Sequence, residues 1–394
     1  MSVKRIQVKQ LILLVGSNPL PNYLAVLILN PESVCFLYTK ETKDVKKRIW
    51  GVLQQRLPAL VLKERFIEDA SSPVKIRESF PAIDDETHLH YTGGTKIMAA
   101  HALMTFFNKG GTGKRASYID ERKSMLRFDD DNVMPIDISK VELNLTIKEI
   151  LGLHGISVIT IGSDRQPDTA LPSIEDAKAI AGKVLNDPSF ACMLYDKVKE
   201  MPEAISKAMA DPFRISQHVP GLSVDSIPAQ DWDTIRYKAW RKFLQGGWLE
   251  HWSADLIRQI KGEGSANIDI QCLRENRRGF QIDVMLVVAH RLYVISCTTE
   301  SEDLNLCKSK LFEVATRARQ LGGDLSRAAF ISLLHGTITN RKVEELKMDL
   351  LRNDIENIWE ASNEVQAYGL DDVRSWYGVH GSPNVHNLKA WLEK

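Results

Sequence analysis

The sequence predicts an α/β protein whose N-terminal region is a doubly wound sheet. Apolar strands alternate with amphipathic helices up to about residue 140, these strands end in polar loops, and a second series of strands and helices begins near residue 231. A chain of 394 residues suggests two or three domains at about 150 residues each. We therefore expect a sheet domain over 1–140, a small helical connector over 141–230 and a second α/β domain over 231–394.

The predicted elements of the N-terminal region follow each other as strand, loop and helix. Leu11–Val15 is a continuous apolar run, as expected for a buried parallel strand, and Ser33–Tyr38 is the next strand. Thr87–Tyr91 is a later strand. The helix behind it carries apolar residues three or four positions apart, which predicts one buried face made of Ile97, Ala100, Met104 and Phe107. Doubly wound sheets bind ligands at the carboxyl ends of their strands. The loops that follow the strands Leu11–Val15 and Thr87–Tyr91 lie at these ends.

The remaining elements are placed by composition and periodicity. Residues 141–230 alternate helical stretches with turns, and Thr146–Gly155 is compatible with the start of a winged-helix module. Asp233–Ile260 is predicted as one long helix with Gly246-Gly247-Trp248-Leu249-Glu250 at its centre. Strands at Gly279–Val288 and Arg291–Cys297 follow, before further helical and strand segments.

Composition excludes several functional classes. Lys plus Arg and Asp plus Glu both number 51, so contact with nucleic acid must depend on a local basic patch. Five scattered cysteines without a C-x-x-C pair predict neither a disulfide framework nor a thiolate zinc site. The longest apolar runs are too short to span a bilayer, and the N-terminus lacks the apolar core of a signal peptide. We therefore expect a cytoplasmic protein without membrane contact.

The first candidate site consists of the two N-terminal loops. Glycines allow a close approach of backbone N–H groups, a helix N-terminus favours anions, and a lysine adds a point charge for phosphate. An ordinary strand-to-helix turn remains the alternative for this motif, since no Walker A sequence is present. The candidate ligand-binding residues are Ser17, Asn18, Pro19, Thr92, Gly93, Gly94, Thr95 and Lys96.

The second candidate site pairs Glu250 with Asp283, near the strand segment 293–300. An unpaired carboxylate that is fully buried within an apolar strand costs several kcal/mol, so Asp283 needs a cation or a partner. Two carboxylates at a strand end suit Mg²⁺ or Mn²⁺, which can activate water against a phosphodiester. In the alternative, Asp283 pairs with Arg277, Arg278 or Arg291, and Glu250 is a solvated helix residue.

Taken together, these motifs resemble a known family. The segments Leu13–Asn18 and Tyr91–Met98 are similar to those of a CARF domain, the Rossmann-like sensor of cyclic oligoadenylate in CRISPR systems. The order Gly246–Glu250, Ile282–Val284, Val294–Cys297, with Gly322-Gly323 beyond, resembles a PD-(D/E)xK nuclease of the restriction-endonuclease-like fold. Both halves therefore resemble the CARF-linked ancillary nucleases of type III CRISPR systems.

This resemblance implies a function in antiviral defence. A homodimer would bind cyclic tetra-adenylate (cA4) across its two-fold axis and then cleave single-stranded RNA, DNA or both, with possible nicking of duplex DNA. The two loops would hold the ring. Glu250 and Asp283 would bind Mg²⁺ or Mn²⁺, and the Cys297 carbonyl would be a further metal ligand.

One departure from the family pattern concerns the nuclease motif. Ser296-Cys297-Thr298 stands where the family has (D/E)-x-K, and loss of a charge-stabilising contact of this kind costs about 10²-fold in rate. Ser296 and Thr298 remain candidate site residues. Lys308 or Lys310 on the next helix is a candidate replacement for the lysine, and Glu300 for the carboxylate.

Three other functions stay open at this point. The chain is alternatively a cyclic-oligoadenylate sensor whose degenerate nuclease domain binds nucleic acid or a partner without cleaving it. A ring nuclease would degrade its own activator in the CARF pocket. A DNA-repair endonuclease would need no second messenger.

Overall fold

The computed structural model describes residues 8–162, 171–200, 222–227, 231–275, 278–340, 343–361 and 364–393. Two large sheets dominate these residues, one in each half of the chain, and helices connect most of their strands. The predicted α/β class, with a Rossmann-like N-terminal region and a second α/β region, is confirmed.

The N-terminal sheet has the strand order β3-β2-β1-β4-β5-β6-β7. Its strands are β1 (Gln10–Leu14), β2 (Ser33–Tyr38), β3 (Val61–Phe66), β4 (Thr87–His90), β5 (Ala116–Asp120), β6 (Met125–Phe128) and β7 (Ile136–Asp137). The first five are parallel, and their connecting helices are α1 (Leu20–Leu29), α2 (Lys43–Arg56), α3 (Pro73–Ser79) and α4 (Lys96–Asn108). The strand order reverses between β1 and β4, which makes their carboxyl ends the switch point where such sheets bind ligands.

The second sheet has six strands in the order β15-β12-β11-β10-β9-β8. They are β8 (Ile156–Thr160), β9 (Ala266–Arg274), β10 (Gly279–Val288), β11 (Arg291–Thr298), β12 (Arg327–Ser332) and β15 (Val365–Tyr368). Strand β8 lies in the stretch expected to be a connector, so that stretch contributes the edge of this sheet. The small hairpin of β13 (Thr337–Asn340) and β14 (Val343–Leu346) stands apart.

Helices complete the second half of the molecule. Helix α5 (Ile147–Leu153) precedes β8. Between β8 and β9 lie α6 (Ile174–Asn186), α7 (Ser189–Lys199), α8 (Thr234–Lys242) and α9 (Trp248–Lys261). After β11 come α10 (Leu304–Gly322), α11 (Lys347–Asn353), α12 (Leu370–Tyr377) and α13 (His386–Leu392). The single helix predicted over 233–260 is instead two helices, because the π-helical turn Phe243–Gly247 interrupts it at Gly246, whose φ is 150°.

The two halves share one hydrophobic core. A single cluster of buried side chains includes Leu13 of β1, Ile150 of α5, Met285 of β10 and Leu321 of α10. Because these residues come from both sheets, the N-terminal region packs directly against the C-terminal one. None of the described helices combines the length and the apolar composition that a bilayer span requires.

The predicted buried face of α4 is wrong. Ile97, Met104 and Phe107 are 45%, 56% and 39% exposed, whereas the helix buries Met98, Ala102, Thr105 and Phe106 against the sheet. The spacing correctly indicated a helix. It could not reveal that an apolar stripe faces away from the sheet of its own chain.

Candidate functional site

The two N-terminal loops meet at the switch point through glycine contacts. A Cβ atom on Gly93 would lie 2.0 Å from the Leu14 carbonyl oxygen, and one on Gly16 would lie 2.8 Å from the Gly94 nitrogen. No other residue fits at such distances without moving the backbone. Gly94 also has a left-handed φ of 78°, which other residues adopt at a cost. The loop geometry therefore depends on these glycines.

The threonine hydroxyls of this site stabilise the loop itself. Thr92 Oγ1 accepts a hydrogen bond from the Ile119 N–H at 2.6 Å, and Thr95 Oγ1 accepts one from the Met98 N–H at 3.1 Å as the N-cap of α4. Ser17, Thr95 and Lys96 are exposed. The groups left for a ligand are therefore the Ser17 hydroxyl, the Lys96 ammonium and the backbone N–H groups at the start of α4.

Asn18 and Pro19 are the part of the two N-terminal loops that lies nearest to the second half of the chain. Asn18 Oδ1 accepts from the Leu20 N–H at 3.3 Å, and its Nδ2 is buried without a hydrogen-bond partner. The amide packs on Gly323 after α10, where an added Cβ would lie 2.7 Å from Asn18 Oδ1. Pro19 is buried and precedes α1. Asn18 thus touches both a candidate ligand site and α10.

In the second half, α9 and β10 bring Glu250 and Asp283 together. Burial first, and then the charge of Asp283, raise the pKa of Glu250 to about 8. Burial also raises the pKa of Asp283. Two hydrogen bonds to Asp283 Oδ2 oppose this shift, one from the Cys297 backbone N–H at 2.9 Å and one from the Ser296 hydroxyl at 3.0 Å. Among the described side chains, Glu250 has neither a hydrogen bond nor an ion pair. Two neighbouring, partly buried carboxyls of this kind are stabilised either by a cation or by protonation of one of them.

The arginine alternatives do not account for Asp283. Arg291 donates to Ser124 in the N-terminal region, and Arg277 lies outside the described residues. Asp283 forms no ion pair with any arginine in the part of the chain that the structure describes. Its contacts are those of an acidic residue positioned by the neighbouring strand.

The structure distinguishes the two candidate lysines on α10. Lys310 Nζ donates to Thr298 Oγ1 at 3.0 Å, and its charge lowers the pKa of both carboxyls. Lys308 instead forms an ion pair with Asp354 at 2.9 Å. Lys310 therefore brings an ammonium group to the position of the missing motif lysine, which Lys308 does not.

Glu300 does not replace the missing carboxylate. Its Oε1 accepts hydrogen bonds from the backbone N–H groups of Ser301, Glu302 and Asp303. Burial alone would raise the pKa of Glu300, but these three donors lower it. The side chain caps the turn that leads into α10.

Sequence reasoning missed two residues of this cluster. Lys242, in the last turn of α8, lowers the pKa of both Glu250 and Asp283 and pairs with Asp269 Oδ1 at 3.2 Å. Strand β9 pairs with β10 through Ile268 with Val284 and Ile270 with Ile282, which places Asp269 opposite Asp283. The backbone of Asp269 has a left-handed φ of 51°. The only sign of Asp269 in the sequence is that this aspartate stands between two isoleucines. Nothing in the sequence indicated Lys242.

The Gly246-Gly247 motif shapes the approach of α9 to the cluster. A Cβ on Gly246 would lie 3.3 Å from Thr299 Oγ1, and this hydroxyl donates to the Gln245 carbonyl at 3.4 Å. The π-helical turn therefore docks on the end of β11. Trp248 and Leu249 are buried, and Glu250 on the next position faces Asp283. π-Helical turns are frequent at functional sites.

A divalent cation fits the cluster on its donor set. Mg²⁺ is commonly held by one or two carboxylates, together with water and substrate phosphate, and Glu250 and Asp283 supply two. No group of three or more His, Cys, Asp and Glu side chains is arranged to hold a metal among the described residues. Burial raises the pKa of the Cys297 thiol well above its ordinary value, which favours the neutral thiol. A role for its carbonyl stays a prediction.

The family comparison covers this cluster. Residues 237–365 match the model of the Card1-like endonuclease domain. The C-terminal part of the chain is similar to that endonuclease domain. Glu250, Asp283, Lys310, Lys242 and Asp269 all lie within the matched segment. No curated protein sequence matches the chain significantly.

Solved structures share the fold of the whole chain. Can2 from Sulfobacillus thermosulfidooxidans, solved with cA4, is 18% identical with a TM-score of 0.66, and the match covers 98% of this chain and 99% of Can2. VC1899 from Vibrio cholerae is 15% identical with a TM-score of 0.69, over 98% of both chains. A type III CRISPR defence DNA nuclease activated by cyclic oligoadenylate is 16% identical with a TM-score of 0.53, over 83% of this chain and 45% of that one. The match to the Card1-like endonuclease domain and the fold shared with these structures agree with the family resemblance seen in the sequence.

Proposed function

We propose that this protein is a cA4-activated, metal-dependent nuclease of type III CRISPR defence that cleaves single-stranded RNA or DNA. The observation that carries the proposal is the half-buried Glu250 carboxyl, which has no hydrogen-bond partner among the described residues and lies beside Asp283 in the Card1-like segment. Neither burial nor the neighbouring charge favours an ionised Glu250 without a cation. A divalent cation would balance both carboxylates.

The residues around the carboxylates have separable roles in this proposal. Glu250 and Asp283 hold Mg²⁺ or Mn²⁺, which supplies a Lewis acid and an activated water when bound. Ser296 positions Asp283 through its hydroxyl. Lys310 stands in for the motif lysine and stabilises negative charge on the phosphodiester, while the half-exposed Lys242 faces the incoming backbone.

The ring binds at the switch point of the N-terminal sheet. Backbone N–H groups at the start of α4 and the Lys96 ammonium suit the phosphates of a cyclic oligoadenylate. Support comes from the shared fold of Can2, which was solved with cA4. A two-fold ring is matched by two copies of one site, and the exposed stripe of Ile97, Met104 and Phe107 on α4 supplies apolar surface for a homodimer.

One helix connects the two proposed sites. Helix α10 has 19 residues, a length of about 28 Å at 1.5 Å per residue. Lys310 lies in its second turn, and the Gly323 that follows its other end contacts Asn18. A shift of Asn18 on ring binding would therefore reach the helix that carries Lys310.

A non-cleaving sensor is the second candidate. Ser296 and Thr298 in place of the motif residues, and the lack of a third acidic ligand among the described side chains, favour it. Titration with Mn²⁺ at pH 8 in the presence of cA4 decides between the two. The nuclease predicts one metal site per chain that is lost in Glu250→Ala, and absence of binding in the wild type would support the sensor.

A further inference from the structure

A buried arginine at the contact between the two halves forms no ion pair with any residue that the structure describes. Arg291, the first residue of β11, is 5% exposed. Its Nη2 donates to the Ser124 hydroxyl, and its Nη1 has no hydrogen-bond partner. Among the described residues it forms no ion pair, although Glu364 is near enough to influence its pKa. Burial lowers the pKa of Arg291, yet a guanidinium stays protonated in proteins, so this charge is costly as it stands.

His290, the residue before Arg291, is also buried and lacks hydrogen-bond partners among the described residues. His290 is 1% exposed, and neither ring nitrogen has a hydrogen-bond partner. Burial, assisted by the charge of Arg291 and opposed by that of Asp137, lowers the pKa of His290 to about 4. The neutral ring can therefore donate one hydrogen bond and accept one. Buried polar groups that are left unpaired usually mark a ligand, an ion or a structural water.

Both residues line a cavity of about 410 Å³, here called the junction cavity. Its wall combines the turn between β5 and β6 with the turn between β10 and β11 and with the end of α9. The charged residues of the wall are Arg122, Lys123, Lys261, Arg291, Asp137 and Glu393. Lys140 pairs with Asp137 at 3.0 Å from outside the wall, so the balance of charge around the cavity is positive.

We propose that the junction cavity binds a phosphomonoester or inorganic phosphate. Arg291 Nη1 is the central donor, His290 and Ser124 add hydrogen bonds, and Lys123 and Lys261 contribute charge at the mouth. A phosphate dianion satisfies a buried guanidinium with strong charge-assisted hydrogen bonds, which water does not do. The site is separate from the carboxylate cluster and from the switch point, and it does not depend on the nuclease proposal.

Such a ligand would join the two halves of the protein. Lys123 and Ser124 lie in a turn between two strands of the N-terminal sheet, whereas Lys261, His290 and Arg291 lie in the segment that matches the Card1-like endonuclease domain. A bound phosphate would stabilise this packing, since any ligand that binds only the folded state does so.

Isothermal titration of the full chain with inorganic phosphate, and separately with adenosine 5′-monophosphate, in a chloride buffer tests the proposal. We expect one site per chain for phosphate and at least about tenfold weaker binding in Lys123→Gln/Lys261→Gln. Binding of both compounds would identify a phosphomonoester site, and binding of phosphate alone a site for the free ion. The control Lys40→Gln/Lys148→Gln removes the same charge at exposed positions outside the wall and should bind like the wild type.

A second variant tests the buried cation itself. Arg291→Met keeps the length of the side chain without its charge, so it should fold and lose phosphate binding. Absence of binding in the wild type, equal binding in all variants, or displacement of phosphate by cA4 would each overturn the proposal. The last result would assign the junction cavity to the ring site.

Discussion

The loops at the switch point and the carboxylate cluster are built from different parts of the chain. In the loops, the decisive atoms belong to the backbone of a few consecutive residues, and glycines at 93 and 94 set their positions. In the cluster, the decisive atoms are side chains delivered by α8, α9, β9, β10 and α10. A backbone site tolerates few substitutions at its own positions. A side-chain site can move one of its groups to another element.

The lysine of the cluster illustrates this difference. Thr298 stands at the strand position where the resemblance expects the motif lysine, and Lys310 on the next helix donates a hydrogen bond to it. In the proposed function, the ammonium group is kept although its place in the sequence has changed. The glycine contact at Gly93 has no such substitute, because the Leu14 carbonyl leaves no room for any side chain.

The largest expected effect comes from removing the Lys310 ammonium group and then restoring an ammonium group on strand β11. Lys310→Ala should lower the cleavage rate by about 10²-fold, because one stabilising charge is lost, while Lys308→Ala should stay within about twofold of the wild type. Thr298→Lys added to Lys310→Ala returns an ammonium group to the strand and should recover at least about tenfold. Single-turnover cleavage rates provide the measurement. Equal rates for the two alanine variants would show that Lys310 has no special role.

One added methyl group should be enough to disrupt a binding site that is built from backbone atoms. Gly93→Ala forces a Cβ against the Leu14 carbonyl, so we expect a loss of stability on the order of 3 kcal/mol and a loss of cA4 binding. Gly51→Ala is the matched control, since no atom lies within 4 Å of its added Cβ and alanine favours helix α2 by about 0.5–1 kcal/mol. Chemical denaturation and cA4 titration check both variants. Normal ring binding by a folded Gly93→Ala protein would refute the loop model.

The ammonium at the start of α4 should have a smaller effect. Lys96→Ala removes an exposed charge without packing changes, so cA4 affinity should fall about tenfold with an unchanged melting temperature. Calorimetric titration measures the affinity, and Lys109→Ala at the other end of α4 controls for the loss of charge. An unchanged affinity in Lys96→Ala would remove Lys96 from the ring site.

The smallest effect concerns stability and pH. The pKa of Glu250 is about 8 in the folded protein and near 4.5 when unfolded, so the folded state binds the extra proton between these values. Stability therefore falls as the pH rises through this range, and the cost is complete above pH 8. Without metal, Glu250→Gln should melt several degrees higher than the wild type at pH 9, whereas at pH 5 the two proteins should melt at nearly the same temperature. A difference that does not vary with pH would contradict the burial of this carboxyl.

The sequence predicted the elements well where the information is contiguous. The run Thr92–Lys96 after an apolar strand predicted a loop that leads into a helix, and Gly246–Glu250 predicted that Glu250 lies on a helix. The binding and catalytic roles of these residues stay predictions. The alternation of strands and helices predicted the doubly wound sheet, and the structure adds the strand order that places β1 beside β4.

It failed where the outcome depends on distant residues. Choosing between Lys308 and Lys310 requires knowing that Asp354 lies beside Lys308. Asp269 faces Asp283 only because β9 pairs with β10 in one register, and periodicity does not determine the register of a pair. The stripe on α4 was assigned to the core because an apolar face that serves another surface has the same spacing.

The central claim is that one chain senses a ring at one site and cleaves nucleic acid at the other. The most direct measurement is cleavage of single-stranded RNA, single-stranded DNA and supercoiled plasmid with Mn²⁺ or Mg²⁺, with and without cA4, by the wild type and by Glu250→Ala/Asp283→Ala. We predict cleavage only when the ring, the metal and both carboxylates are present. Cleavage that is indifferent to the ring, or that persists in the double variant, would contradict the account.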